Sequence, residues 1–183
     1  MTKKTISSRN KQVIEKAKQE GHVVVIATGR PYRASLQYYQ ELNLQTAIVN
    51  FNGAFVHHPH DRQFGTYHEP LELATAKTII ETCEAFRVSN IMAEIIDEFY
   101  LRHLDEVFIE TFTPGQQPLA YGNLHTLIKS DPTSLLIYPH AHQADELYDV
   151  LKDAHAEVIE QRSWGAPWHI IEIVKSGLNK AVA

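Results

Sequence analysis

The run His22-Val23-Val24-Val25-Ile26-Ala27, followed at once by Thr28-Gly29-Arg30-Pro31, constrains the chain most strongly. A continuous β-branched run suits a strand buried on both faces of a parallel sheet, and such a sheet needs helices around it. Pro31 fits the first turn of a helix, where its missing N–H has no intrahelical role. That helix is expected to reach about Leu42. Residues 46–50 (TAIVN) then read as a second short buried strand, and Asn52-Gly53 as a turn into a strand at 54–56. Upstream, Ser7 or Ser8 can cap a helix running to about Glu20, with Val13, Ile14 and Ala17 as its apolar stripe and Gly21 at its C-cap. Helix–strand–helix–strand is the grammar of a doubly wound, Rossmann-like α/β sheet.

The texture changes after His57. A helix is expected over 71–86, with Ala76, Ile79, Ile80 and Cys83 at i, i+3, i+4, i+7. Residues 90–96 and 98–102 read as a hairpin, 104–112 as a short helix stopped by Pro114-Gly115, and 135–138 as a strand. A helix over 145–154 carries Leu147, Val150, Leu151 and Ala154 on one face, and strands follow at 156–162 and 168–174. The expected organisation is a core segment over 1–64, an inserted α+β module over 65–167, and a return to the core over 168–183.

Composition excludes several classes. The chain has 183 residues, 44% hydrophobic and 21% charged, which is ordinary for a globular protein. It carries 17 Lys+Arg against 22 Asp+Glu, a net charge of −5, which disfavours a general nucleic-acid partner because phosphate contacts need clustered cations. No apolar run reaches the ~18 residues of a membrane span, and the N-terminus shows no signal-peptide h-region. Cys83 is the only cysteine, so no internal disulfide can form, and a cytoplasmic location is expected.

Three segments carry chemistry. Thr28 stands at the carboxyl end of the first strand, where open α/β sheets bind ligands. Gly29 permits close backbone approach, and Arg30 offers a permanently charged fork suited to phosphate. The helix after Pro31 adds its N-terminal dipole. A plain strand-to-helix turn explains the same residues equally well. Asn50-Phe51-Asn52-Gly53-Ala54 puts a polar asparagine side chain at the end of the next strand, facing the same crevice, though an Asn-Gly turn alone accounts for it. Lys180 sits after a strand at what reads as the start of a helix, where it can neutralise a phosphate or a carboxylate nucleophile, or simply be solvated.

Taken together and in this order, KTISSRNKQVIEKAKQEGHVVVIATGRP, IVNFNGA and IEIVKSGLNKAVA resemble the haloacid dehalogenase superfamily, within it the Cof-type (subclass IIB) sugar phosphatases. The resemblance covers essentially the whole chain. It implies a partial doubly wound α/β core with an inserted α+β cap of the C2 type, which selects the substrate and shields the site from water. It also implies that Thr28 hydrogen-bonds the transferring phosphoryl group, that Gly29 and Arg30 contact phosphate or substrate, that Asn52 faces the crevice, and that Lys180 bridges nucleophile and phosphate. The complete enzyme would be a Mg²⁺-dependent hydrolase of a small phosphorylated metabolite, acting through an aspartyl-phosphate.

The chain departs from that pattern in its acids. It contains no D-x-D nucleophile loop, and no G-D-x-x-N-D loop to hold Mg²⁺. The expectation is therefore a fragment, inactive by itself, that holds no metal and leaves an open apolar edge at its first strand. The alternative is a non-catalytic protein that binds phosphorylated ligands through Thr28, Arg30 and Lys180. Among lesser features, the cluster His57-His58-Pro59-His60-Asp61 reads as a polar loop rather than a metal site, and Cys83 reads as core.

Overall fold

In the computed structural model, which describes residues 5–180, Ser7 caps the first helix, α1 (Ser8–Gln19), its hydroxyl accepting from the Asn10 N–H at 3.2 Å. Gly21 follows in the left-handed region (φ +87°), as a helix C-terminus asks. Strand β1 (Ile26–Ala27) leads to helix α2 (Tyr32–Glu41), with Pro31 as its N-cap residue. Strand β2 (Ile48–Asn50) ends in a tight 3₁₀ turn, Phe51–Gly53, before β3 (Phe55–His57) and β4 (Thr66–His68). The sheet order is β1-β2-β3-β4, with β1 parallel to β2 and β3 antiparallel to it.

The expectation that 22–27 is buried on both faces is corrected here. Val24 and Ile26 pack against Tyr39, Leu44 and Ile48, whereas Val23 and Val25 stay 79% and 46% exposed. Only Ile26 and Ala27 pair, with Ile48 and Val49. Among the described residues nothing covers the alternate face, so the side chains divide with the period of two of any strand. Helix α1 likewise buries no residue. It is held by polar contacts: Lys18 donates to the carbonyls of Leu42 and Asn43, beyond the C-terminal end of α2, and Lys11 pairs with Glu41.

The chain divides into two compact units. One holds the described residues up to Tyr67 with Asn179 and Lys180; the other is His68–Leu178. In the second, α3 (Leu73–Ala85) precedes the hairpin β5 (Asn90–Ile95) and β6 (Glu98–Leu101). Next come α4 (Glu106–Phe112), β7 (Ala120–Tyr121), α5 (Leu124–Leu127) and β8 (Ser134–Tyr138). Helix α6 (Ala144–His155) and the strands β9 (Ile159–Trp164) and β10 (Ile170–Lys175) complete it. The sheet runs β7-β6-β5-β8-β10-β9, antiparallel except for the β6–β7 pair.

One face of this sheet carries Ile91, Ala93, Leu135, Ile137, Ile171 and Ile173, packed with Ile79, Ile80 and Cys83 of α3 and Leu147 and Leu151 of α6. On the other face Met92, Phe99, Leu101, Leu136 and Ile170 pack with Phe108 and Ile109 of α4.

The boundaries differ from those read in the sequence. Residues 168–178 stay with the second unit, because β10 pairs along its length with β9 and, through Ile171–Ile173, with β8. Lys180 lies in a turn rather than a helix, and residues 181–183, where that helix would continue, lie outside the described residues. No helix among the described residues is long and apolar enough to cross a membrane.

Candidate functional site

The loop Thr28-Gly29-Arg30 is stitched to the end of β2 by backbone bonds. Thr28 N–H donates to Val49 O at 2.9 Å, Asn52 N–H to Thr28 O at 3.0 Å, and Phe51 N–H to Arg30 O at 3.3 Å. The Thr28 hydroxyl accepts from the Arg30 N–H at 3.1 Å. That bond uses one of the hydroxyl's two lone pairs and leaves its proton able to donate elsewhere.

Gly29 is required here by contact. A Cβ at this position would lie 2.8 Å from Asn52 Nδ2 and 3.0 Å from Asn52 Oδ1. Asn52 is buried, and it and Phe51 both adopt the left-handed conformation (φ 56° and 49°). Asparagine tolerates that region; a bulky phenylalanine there is an outlier, of the kind that accumulates at ligand sites. Arg30 is exposed, its guanidinium 5.5 Å from the centre of the Tyr38 ring and 3.4 Å from the Tyr38 hydroxyl. Thr28, Gly29, Arg30 and Asn52 thus come together at the carboxyl ends of β1 and β2. Lys180 is exposed, and among the described residues it makes no recorded hydrogen bond or ion pair with them.

Two residues that sequence reasoning missed hold this loop from beneath. Ser35, in the first turns of α2, and Asn50, the last residue of β2, are both buried and hydrogen-bonded to each other at 2.9 Å. Asn50 lies two residues before the Asn52-Gly53 turn, and a strand-end asparagine carries no sequence signal of its own.

The second unit carries a different polar feature. Glu94 and Glu172 are 4% and 7% exposed on the sheet face that also bears Met92 and Leu136. Glu94 accepts from the Ser134 hydroxyl at 2.6 Å, and Glu172 accepts from Trp164 Nε1 at 3.2 Å. Burial pushes the Glu172 carboxyl above its usual range, and the charges of Glu94 and Glu160 push the same way against the Trp164 bond and Arg162. A single acid inside an apolar strand, as in NIMAEI and IIEIV, was the available signal. An open cleft of about 500 Å³ lies elsewhere in this unit, beside the Lys175–Glu69 ion pair, and none of the residues singled out in the sequence lines it.

The described residues do not fit a magnesium site. No group of three His, Cys, Asp or Glu side chains comes together among them. That includes His57, His58 and His60, whose rings lie against Tyr32 and Phe55, Phe64, and Tyr39 respectively.

Comparison with known proteins places this geometry in context. The sequence profile of the haloacid dehalogenase-like hydrolases matches residues 1–183. The Bacillus subtilis 5-amino-6-(5-phospho-D-ribitylamino)uracil phosphatase YitU is 46% identical over 179 residues, which is 98% of this chain and 66% of that protein. The chain thus spans just under two thirds of that relative's length. A crystal structure from Thermotoga maritima superposes with a TM-score of 0.78 at 26% identity, over 97% of this chain and 66% of that one. A haloacid dehalogenase-like hydrolase from Bacteroides thetaiotaomicron shares the fold, with a TM-score of 0.79 at 21% identity, over 100% of this chain and 69% of that one. The chain belongs to the haloacid dehalogenase superfamily, in its Cof-type group.

Proposed function

We propose that this chain supplies the phosphate-binding loop and the cap of a phosphatase of small phosphorylated metabolites. The observation that carries the reading is the Thr28 hydroxyl, engaged as an acceptor by Arg30 N–H and so aimed to donate, beside a glycine and an exposed guanidinium. Thr28 would bind a phosphoryl oxygen, Arg30 and Lys180 would balance its charge, and Asn52 would keep Gly29 open to the ligand. The module over 65–167, with the strand β10 that completes its sheet, would act as the cap, Glu94 and Glu172 accepting from hydroxyl or amino groups of the substrate.

YitU, by its name, acts on a phosphorylated ribitylaminouracil. A substrate of that class, a phosphomonoester on a polyol-linked amino heterocycle, suits this chain best. No group of side chains that could hold Mg²⁺ occurs among the described residues, and the sequence has no D-x-D loop to supply the nucleophile, so the chain alone is expected to be inactive.

The competing reading, a non-catalytic phospho-ligand-binding protein, rests on the same loop. The test is phosphate release from phosphomonoesters, with and without Mg²⁺, by this chain and by the reading frame extended on both sides. Release by the extended chain alone supports the phosphatase reading. Inactivity of both, with phosphate still raising the melting temperature, supports the binding protein.

A further inference from the structure

Asn50 is fully buried, yet its side-chain amide is hydrogen-bonded on both sides of the loop's exit. Its Nδ2 donates to the Arg30 carbonyl at 2.9 Å and to the Ser35 hydroxyl at 2.9 Å. Ser35 passes the connection on, donating to the Pro31 carbonyl at 2.9 Å and lying 3.2 Å from that of Tyr32. One amide group thereby ties the end of β2 to the peptide that leaves the loop and to the first turn of α2.

The arrangement is costly on its other side. Asn50 Oδ1 is buried with no hydrogen-bond partner among the described residues. Turning the amide over would set Oδ1 against the Arg30 carbonyl, oxygen on oxygen, so the orientation is fixed by its neighbours. A buried carbonyl left unpaired opposes folding, and a chain that needed only stability here would do as well with an apolar residue. The donor geometry serves something other than packing. What it holds, together with the Phe51 N–H, is the carbonyl of Arg30, which lies across the Arg30 Cα from the N–H that bonds the Thr28 hydroxyl.

We propose that Asn50, with Ser35 as its relay, is the positioning residue of the Thr28–Arg30 anion loop. By fixing the Arg30 carbonyl it limits the φ and ψ of Arg30, and so places the Arg30 N–H that bonds the Thr28 hydroxyl and leaves that hydroxyl's proton for a bound phosphate. This rests on the anion-loop reading above and adds the residue that aims it. Asn50 touches no ligand, since it is wholly enclosed. Its effect on binding runs through Thr28.

A double-mutant cycle on the intact chain tests this, with inorganic phosphate as the probe and the Gly29 and Arg30 amide resonances as the readout. Asn50→Leu keeps the volume and removes both donors. It is expected to weaken phosphate roughly ten- to a hundredfold, the loss of one hydrogen bond to a charged group. Thr28→Val is expected to weaken it similarly, and the double variant no further, because a misaimed hydroxyl and a missing one are equivalent. Binding is read on the folded population, so a purely structural role would shift the melting temperature and leave the affinity unchanged.

Should Asn50→Leu fail to give a dispersed spectrum, Ser35→Ala runs the same cycle through the relay. Normal affinity in Asn50→Leu, or losses that add to those of Thr28→Val, overturns the positioning role and leaves the anion loop standing. If wild type shows no saturable shift, or Thr28→Val binds as wild type does, the anion loop itself is wrong and the positioning role falls with it.

Discussion

Gly29→Ala should be destabilising in the native chain and stabilising once Asn52 is replaced by glycine. The added Cβ would sit 2.8 Å from Asn52 Nδ2 and 3.2 Å from Asn52 Cγ, well inside the ~3.5–4.0 Å of an ordinary contact. Asn52 cannot easily yield. It is buried, its N–H is bonded to Thr28 O at 3.0 Å, and its φ of 56° lies in a narrow well. Overpacking of this kind costs about 1–3 kcal/mol. Gly29 itself lies outside the left-handed region, so alanine fits its backbone and restricts the unfolded chain, a gain of about 0.4–1 kcal/mol. The net expectation is a loss of roughly 0.5–2 kcal/mol in the Asn52 background. In the Asn52→Gly background only the gain remains, which reverses the sign. Both tryptophans, Trp164 and Trp168, lie in the second unit, so their fluorescence is blind to this loop. Native-state hydrogen exchange at the Thr28 and Asn52 amides reads it directly. Equal effects of Gly29→Ala in the two backgrounds would refute the contact argument.

Glu172→Gln should stabilise the second unit at neutral pH. A carboxyl whose folded pKa is raised binds more protons in the native state, so its contribution to stability falls as pH rises from ~4.3 through the folded value. Urea unfolding followed by Trp fluorescence should lose part of that slope in the variant, and an unchanged slope would count against it. Cys83 is wholly buried and its thiol is pushed far above the ordinary range, so thiol reagents should label it only on unfolding; rapid labelling of the native chain contradicts the burial. Leu151→Ala, in the core beneath α6, should cost about 2–5 kcal/mol in the second unit by the same fluorescence assay. Val23→Lys with Val25→Lys should reduce aggregation, seen by light scattering, while changing stability by less than ~0.5 kcal/mol.

Elements with a long apolar period were legible in the sequence. The stripe Ala76, Ile79, Ile80 and Cys83 gave α3, and Leu147 with Leu151 gave α6, because burial on one helix face leaves its mark at i, i+3 and i+4. Strands β4 and β7 and the single turn α5 were not legible. They hold two to four residues each and exist through pairing or capping with distant partners, which periodicity does not record. The run at 22–27 misled in a specific way. Three consecutive valines hide the alternation that separates a half-exposed strand from a buried one, and the structure shows Val24 inward while Val23 and Val25 face out. At the loop, residue types suited to phosphate pointed to Thr28, Gly29 and Arg30. The support from Asn50 and Ser35 was invisible, because a serine in a helix and an asparagine at a strand end have many commoner explanations. Only their 2.9 Å contact joins them.

The loop's chemistry also sets what this chain can do by itself. On the anion-loop reading, a threonine hydroxyl and an arginine guanidinium offer a phosphate monoester hydrogen bonds and positive charge already in its ground state. Interactions of equal strength in both states raise affinity without raising the rate of the chemical step. Acceleration requires a group that engages only as the bond to the leaving oxygen breaks, a nucleophile or an acid held in line with it. On the proposed phosphatase reading, Thr28→Val in a reading frame extended on both sides is expected to lower kcat/KM, with much of the loss in KM. A Thr28→Val variant that lost kcat alone would show that the hydroxyl acts in the transition state only, and the view of this loop as a uniform anion cradle would have to be given up.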